Sequence, residues 1–185
     1  TDFFPTLGGE NKWLRFTAAA IRNMSGEIVG AMETLEDITD QKEAEKALKE
    51  SESRLRTILE GSPTPTFVID KNHRVICWDR AMEELSAIRA AEVLHTDQQW
   101  KIFYKEKRPL MADLLVDGDM GTAGEIPQWY AGKYVKSSLL RDAYEATDYS
   151  AVMKKWFHFT SAAVRDTEGN ILGAVETMTD ITPLK

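Results

Sequence analysis

The chain has 185 residues, 23 Lys and Arg against 30 Asp and Glu, a formal net charge of −7 and one cysteine. An acidic chain with no basic block is a poor ligand for a phosphate backbone, a single cysteine allows neither an internal disulfide nor a cysteine-based zinc site, and no apolar run approaches the ~20 residues of a membrane span. No signal peptide opens the sequence, which starts at Thr1 and reads as a piece of a longer protein from a reducing compartment, the cytoplasm.

In chain order, residues 12–39 (KWLRFTAAAIRNMSGEIVGAMETLEDIT) alternate around a polar, glycine-containing turn and predict a β-hairpin. Residues 40–60 lack Gly and Pro and are rich in Glu, Lys, Ala and Leu, so they predict a helix, with Thr39 or Asp40 as its cap and Glu43 three residues after Asp40. Ala44, Ala47/Leu48, Ser51, Leu55 and Ile58 form a stripe that fits either a parallel dimer or packing on the helix's own domain. Gly61–Pro65 ends that helix. A hairpin follows, with strands over Thr66–Asp70 and Val75–Trp78, then helices over Arg80–Ala87, with Asp79 as cap, and over Ala90–Leu94. Pro109 suits the first position of a helix running to Val116, and Glu125–Tyr134 reads as a further helix. Strands are expected over Ala143–Tyr149, Trp156–Val164 and Ile171–Met178.

The chain contains a repeat. Residues 155–182 (KWFHFTSAAVRDTEGNILGAVETMTDIT) match residues 12–39 without a gap, with 16 of 28 positions identical, and Thr147-Asp148-Tyr149 resembles Thr1-Asp2-Phe3. Two copies of one unit are therefore present. Residues 61–182 form a full domain, residues 1–39 the C-terminal hairpin of a preceding one, residues 40–60 the linker, and 183–185 the start of the next linker. Gly30 and Gly173 occupy equivalent strand positions, where a glycine marks close packing, here expected from a helix over the sheet. On the hairpin of the first copy, Leu14, Phe16, Ile28 and Met32 are expected on one exposed apolar face that seeks a partner.

The run FVIDKNHRVICWDRAMEELSAI resembles the opening of a PAS sensor domain, WFHFTSAAVRDTEGNILGAVETMTDIT resembles its last two strands, and Asp-Ile-Thr at 37–39 and 180–182 is similar to the tripeptide that closes many PAS domains. The middle, WKIFYKEKRPLMADLLVDG, resembles a subgroup found in bacterial and archaeal sensor histidine kinases. The resemblance implies an α+β fold: a five-stranded antiparallel sheet in order 2-1-5-4-3 with short helices on one face. It also implies which residues look inward, namely Phe67 and Ile69, then Phe157, Phe159 and Ser161, and on the last strand Ile171, Gly173, Val175 and Thr177. These residues, with Trp129, Tyr130 and Tyr144, either line a small-molecule pocket or simply make the core. Trp129 and Tyr130, in a glycine-bounded segment, suit a lid. Asp37, Thr39, Asp180 and Thr182 stand where a strand becomes an outgoing helix, a place at which a carboxylate can hold the exit in one geometry.

Chemistry is sparse. Cys77 lies on a strand and outside the setting of a flavin-adduct cysteine, and His73, His95 and His158 lack ligand spacing and the position of a haem ligand. No phosphate loop, catalytic triad or metal motif is present, so a non-catalytic chain without haem or flavin is expected. The reading is a cytoplasmic sensory and relay module of a two-component sensor kinase, or alternatively a ligand-free dimerisation and transmission domain. Its expected partners are a second copy, met through the linker helix and hairpin, and other domains of the parent kinase, with neither nucleic acid nor membrane.

Overall fold

A computed structural model describes residues 1–7, 10–118, 129–130 and 133–184. The chain divides into two compact units, Thr1–Thr57 and Ile58–Lys185. Among the described residues no helix is long and apolar enough to cross a membrane.

The first unit is a three-stranded antiparallel sheet, β1 (Asp2–Leu7), β2 (Glu10–Arg22) and β3 (Ile28–Asp37), in that order. The predicted hairpin thus gains a third strand. Its register repeats that of the second unit: Asp2 faces Leu14 as Asp148 faces Phe157. The β2–β3 turn closes on Asn23, whose Oδ1 accepts the Ser25 and Glu27 amides, both at 3.0 Å, and Gly26 supplies the positive φ of 84°. Helix α1 (Thr39–Glu60) follows and buries none of its residues.

The second unit opens with the hairpin β4 (Thr66–Asp70) and β5 (Val75–Trp78). Helix α2 (Arg80–Ser86) is capped as expected: Asp79 Oδ1 accepts the Met82 amide at 2.7 Å. Then come α3 (Ala90–Val93), a 3₁₀ turn at Gln99–Ile102, and α4 (Met111–Val116), which starts two residues after Pro109 and stops at Gly118, where φ is 76°. Four strands complete the sheet: β6 (Tyr134–Lys136), β7 (Ala143–Ser150), β8 (Lys155–Arg165) and β9 (Ile171–Asp180). A 3₁₀ turn at Thr182–Leu184 follows.

The order is β5-β4-β9-β8-β7-β6, all antiparallel. The sheet therefore has six strands where five were expected. The sixth, β6, is a short edge strand on β7, and Tyr134 begins it instead of ending a helix. Trp129 and Tyr130 are helical, and the rest of the helix expected over 125–134 lies largely outside the described residues.

One face of this sheet carries the core. Phe67, Ile69, Phe157, Phe159, Ala174 and Met178 are buried against Phe103, Met111 and Leu114 from the helical layer. The inward reading of β4 and β8 agrees with this face, but that of β9 is out of phase. Met178 lies opposite Phe159, Glu176 opposite Ser161, and Ala174 opposite Ala163. Gly173, Val175 and Thr177 therefore lie on the other face, opposite Val164, Ala162 and Thr160, while Ile171 lies beyond the register shift, opposite Arg165. The parity implied by the resemblance fails because a register shift at Val164/Arg165 offsets β9 against β8 by one residue, which brings Glu176 into the inner row. The same slip affects the first unit: Leu14 and Phe16 share a face with Leu35, while Met32 pairs with Ala19 on the other.

Candidate functional site

A charged side chain inside an apolar core demands a physical account, and Glu176 is one. It projects from the middle of β9 into the core, 2% exposed. Its Oε2 accepts the Ser161 hydroxyl from β8 at 2.5 Å and the Ala112 amide from the first turn of α4 at 2.9 Å. Burial pushes its carboxyl up to about 7; the two donors lower it, and neighbouring Asp113 raises it further. One side chain thus ties the helical layer to two central strands with a proton that exchanges near neutrality.

Helix α4 is held from its other side by a second polar cluster. Asp113 Oδ2 accepts the Leu110 amide at 2.8 Å and so caps its own helix. Asp113 Oδ1 accepts Gln99 Nε2 at 2.9 Å and lies 2.8 Å from His73 Nδ1. His73, at φ 62° in the β4–β5 turn, places its other ring nitrogen 3.1 Å from Asp117 Oδ1. Burial lowers the His73 pKa, but the two aspartates outweigh it, and the net shift is upward; burial also raises that of Asp113.

These groups form one wall of a cleft of about 410 Å³, whose lining also includes Asn72, Asp97, Trp100, Lys107, Arg108 and Pro109. The Arg108 guanidinium lies 3.8 Å over the Tyr104 ring, with the Trp129 and Tyr130 rings at 5.1 and 5.5 Å. Burial pushes the Tyr104 hydroxyl up to about 12 and that of Tyr130 well above its ordinary value. Among the described residues no three His, Cys, Asp or Glu side chains are placed to hold a metal ion.

The strand ends carry a third arrangement, present twice. Asp37 Oδ1 accepts the Thr39 amide and hydroxyl at 3.0 and 2.6 Å, and its Oδ2 meets Lys12 Nζ at 2.7 Å. Asp180 Oδ1 accepts the Thr182 amide at 2.9 Å, and its Oδ2 meets Lys155 Nζ at 2.8 Å. In both copies a tryptophan amide, Trp13 or Trp156, donates to the threonine hydroxyl at 2.9 Å. The lysine bonds, then those from threonine, hold both aspartates down at about 2.

The structure brings Phe67, Ile69, Phe157, Phe159 and Ser161 together on the inner face, with Tyr130 and the half-buried Trp129 and Tyr144 packed around the core. Phe103 stands edge-on to both Phe157 and Phe159, with centroids at 6.0 and 5.6 Å, so these rings make a packed core. The cleft is lined instead by the β4–β5 turn, the 3₁₀ turn at Gln99–Ile102 and α4 with the segment before it. Sequence reasoning missed Glu176, Asp113, His73, Gln99 and Arg108. A glutamate at the same strand position in both copies, Glu33 and Glu176, was the available signal.

Residues 53–126 match the family model described as PAS fold, and residues 3–40 that described as PAS domain. Over 64 residues the chain is 39% identical to the uncharacterized protein y4lL of Sinorhizobium fredii, a match covering 35% of this chain and 8% of that protein's length. Among solved structures it is similar to the PAS domain of BvgS from Bordetella pertussis (17% identity, 76% of this chain, 92% of that one, TM-score 0.47). It is also similar to the PAS domain of an HTR-like protein from Haloarcula marismortui (17% identity, 76% and 99%, TM-score 0.47) and to that of the histidine kinase ThkA (15% identity, 63% and 98%, TM-score 0.37).

Proposed function

This chain carries PAS-domain sequence in both of its units, and on that premise we propose that it is a cytoplasmic sensory and relay module of a two-component sensor kinase. PAS domains are sensory and signalling modules, those of histidine kinases included. In this reading a small molecule, or a signal from the preceding unit, biases the helical layer, and the sheet passes the change to the strand ends. The chain itself performs no catalysis and holds no haem or flavin; a Soret or flavin band in the purified protein would overturn that part.

The observation that carries the relay is the Glu176 clasp. Glu176 is bonded to α4 and to β8, and four residues further along the same strand is Asp180, which holds the exit through Thr182. A switch needs an element whose two arrangements both ends can bias. Hydrogen–deuterium exchange of the wild type and of E176Q tests this. Altered protection at residues 180–184 as well as in α4 is expected; changes confined to α4 and β8 reject the relay.

A second reading, a ligand-free dimerisation and transmission domain, is favoured by α1, where Leu48, Leu55 and Ile58 are all about 60% exposed (61%, 60% and 63%) at spacings that put them along one stripe. Sedimentation of the full chain and of an L48K/L55K variant decides it. A wild-type dimer that the variant loses supports the reading, and two monomers end it.

A further inference from the structure

We propose that the cleft beside the β4–β5 turn binds a small organic monocarboxylate, with Arg108 as its anchor. The proposal deepens the sensory reading and rests on it for its part in signalling, though not for the binding itself.

Most charges in the cleft wall already have partners. Lys107 is bonded to Asp97, and His73 stands between Asp113 and Asp117. Arg108 is the exception: among the described residues no carboxylate lies on it. Its one described hydrogen bond runs from Nη2 to the Trp129 carbonyl at 3.2 Å, and its buried Nε has no acceptor. The Trp129 indole nitrogen is likewise buried without one. Gln99 adds an orphan of the other sign, because its Nε2 donates to Asp113 and to the His73 carbonyl, leaving the buried Oε1 with no donor. Of the residues that carry these costly unmet atoms, Arg108 and Gln99 line the cleft, so the one cation of its wall without a carboxylate partner among the described residues stands where a ligand can reach the residue.

The chemistry of that ligand follows from the wall. A guanidinium centred 3.8 Å over the Tyr104 ring is held in place, and its planar N–H fork matches a planar two-oxygen acceptor, which is a carboxylate. Trp100 and Pro109 line the same cleft, so an organic group attached to the carboxylate has a surface to cover. Asp97, Asp113 and Asp117 also line it, the first bonded to Lys107 and the other two to His73, so Arg108 alone is left to balance one negative charge and a second would meet no counter-charge. This selects a monoanion over phosphate or a dicarboxylate. A volume of about 410 Å³ suits a ligand of roughly one ring.

The test is a titration of the full chain at neutral pH with sodium benzoate, with inorganic phosphate and benzylamine as comparison probes. It follows the Arg108 Nε–H signal by NMR, identified by its loss in R108Q. A saturable shift with benzoate alone is expected, and in R108Q the affinity, read from backbone amides of the cleft, falls by at least about tenfold with an unchanged near-ultraviolet circular dichroism spectrum. If R108Q does not fold, R108K takes its place, because it keeps the charge and loses the fork, and it is expected to weaken binding to the same order. No saturable shift with benzoate, an equal response to phosphate, or an affinity indifferent to both variants overturns the site. Benzoate binding without altered exchange at 180–184 leaves the site standing and removes its link to the relay. An absence of binding removes the site and leaves the E176Q exchange test of the relay untouched.

Discussion

Gly173→Ala is expected to destabilise the second unit by more than about 4 kcal/mol, enough to unfold it, while Gly30→Ala at the matching position of the repeat is expected to be neutral or mildly stabilising, by up to about 1 kcal/mol. The two glycines sit in nearly the same local sequence, IVGAMET and ILGAVET. A Cβ on Gly173 would lie 2.0 Å from the Ile69 carbonyl oxygen, 3.1 Å from its carbon and 3.2 Å from the Asp70 Cα. All three are backbone atoms of β4, which is hydrogen-bonded to β9 along this stretch, and β8 pairs with the opposite edge of β9. Neither side can give way without breaking a ladder, so no side-chain rotation relieves the clash. A Cβ on Gly30 would meet nothing closer than Ile21 Cδ1 at 3.9 Å, because β3 is an edge strand of its sheet. Urea unfolding followed by circular dichroism on both variants checks the pair. A G173A protein that unfolds at the wild-type midpoint would show that β4 does not lie against β9 as described.

Glu176→Gln is expected to stabilise the protein above neutral pH and to change little in mild acid. The carboxyl goes from an unfolded value of 4.5 to about 7 in the fold because burial disfavours its charge. For an acid whose folded value is raised, the unfolded chain holds fewer protons between those two values, so stability falls as pH rises through that window and levels off above it. A shift of this size corresponds to about 3 kcal/mol. Glutamine mimics the protonated acid: its oxygen can still accept Ser161 and Ala112, and it carries no charge. The stability difference between E176Q and the wild type should therefore grow by about 3 kcal/mol between pH 4.5 and pH values above 7. Denaturant unfolding across that range measures it. Asp113 and His73 titrate in both proteins and cancel to first order. A difference that does not change with pH would assign the titration to another group.

Local chemistry reached a good part of this molecule. The repeat, helix α1, the Asp79 cap, the glycine turns and the two Asp-Ile-Thr strand ends depend on neighbours within a few residues, and each formed where the sequence placed it. The α+β class followed from the resemblance to PAS domains that the sequence motifs carry. The inner face of β9 did not, because alternation defines two faces without saying which is buried. The rows Ile171, Gly173, Val175, Thr177 and Leu172, Ala174, Glu176, Met178 both carry apolar residues, and the resemblance to PAS strands placed the first of them inward. What holds the second row inside is a pair of donors brought from elsewhere in the sequence: the Ser161 hydroxyl, 15 residues distant, and the Ala112 amide, 64 residues distant. A carboxylate enters a core only when such donors and a proton offset its desolvation, and only the packed helix α4 supplies one of them. The two glycines show the same division. Nearly identical local sequence gives Gly30 and Gly173 the same place in a strand, but β4 on the second edge of β9, where the matching edge of β3 is free, decides what each tolerates, because steric exclusion acts between segments that only the tertiary fold brings into contact.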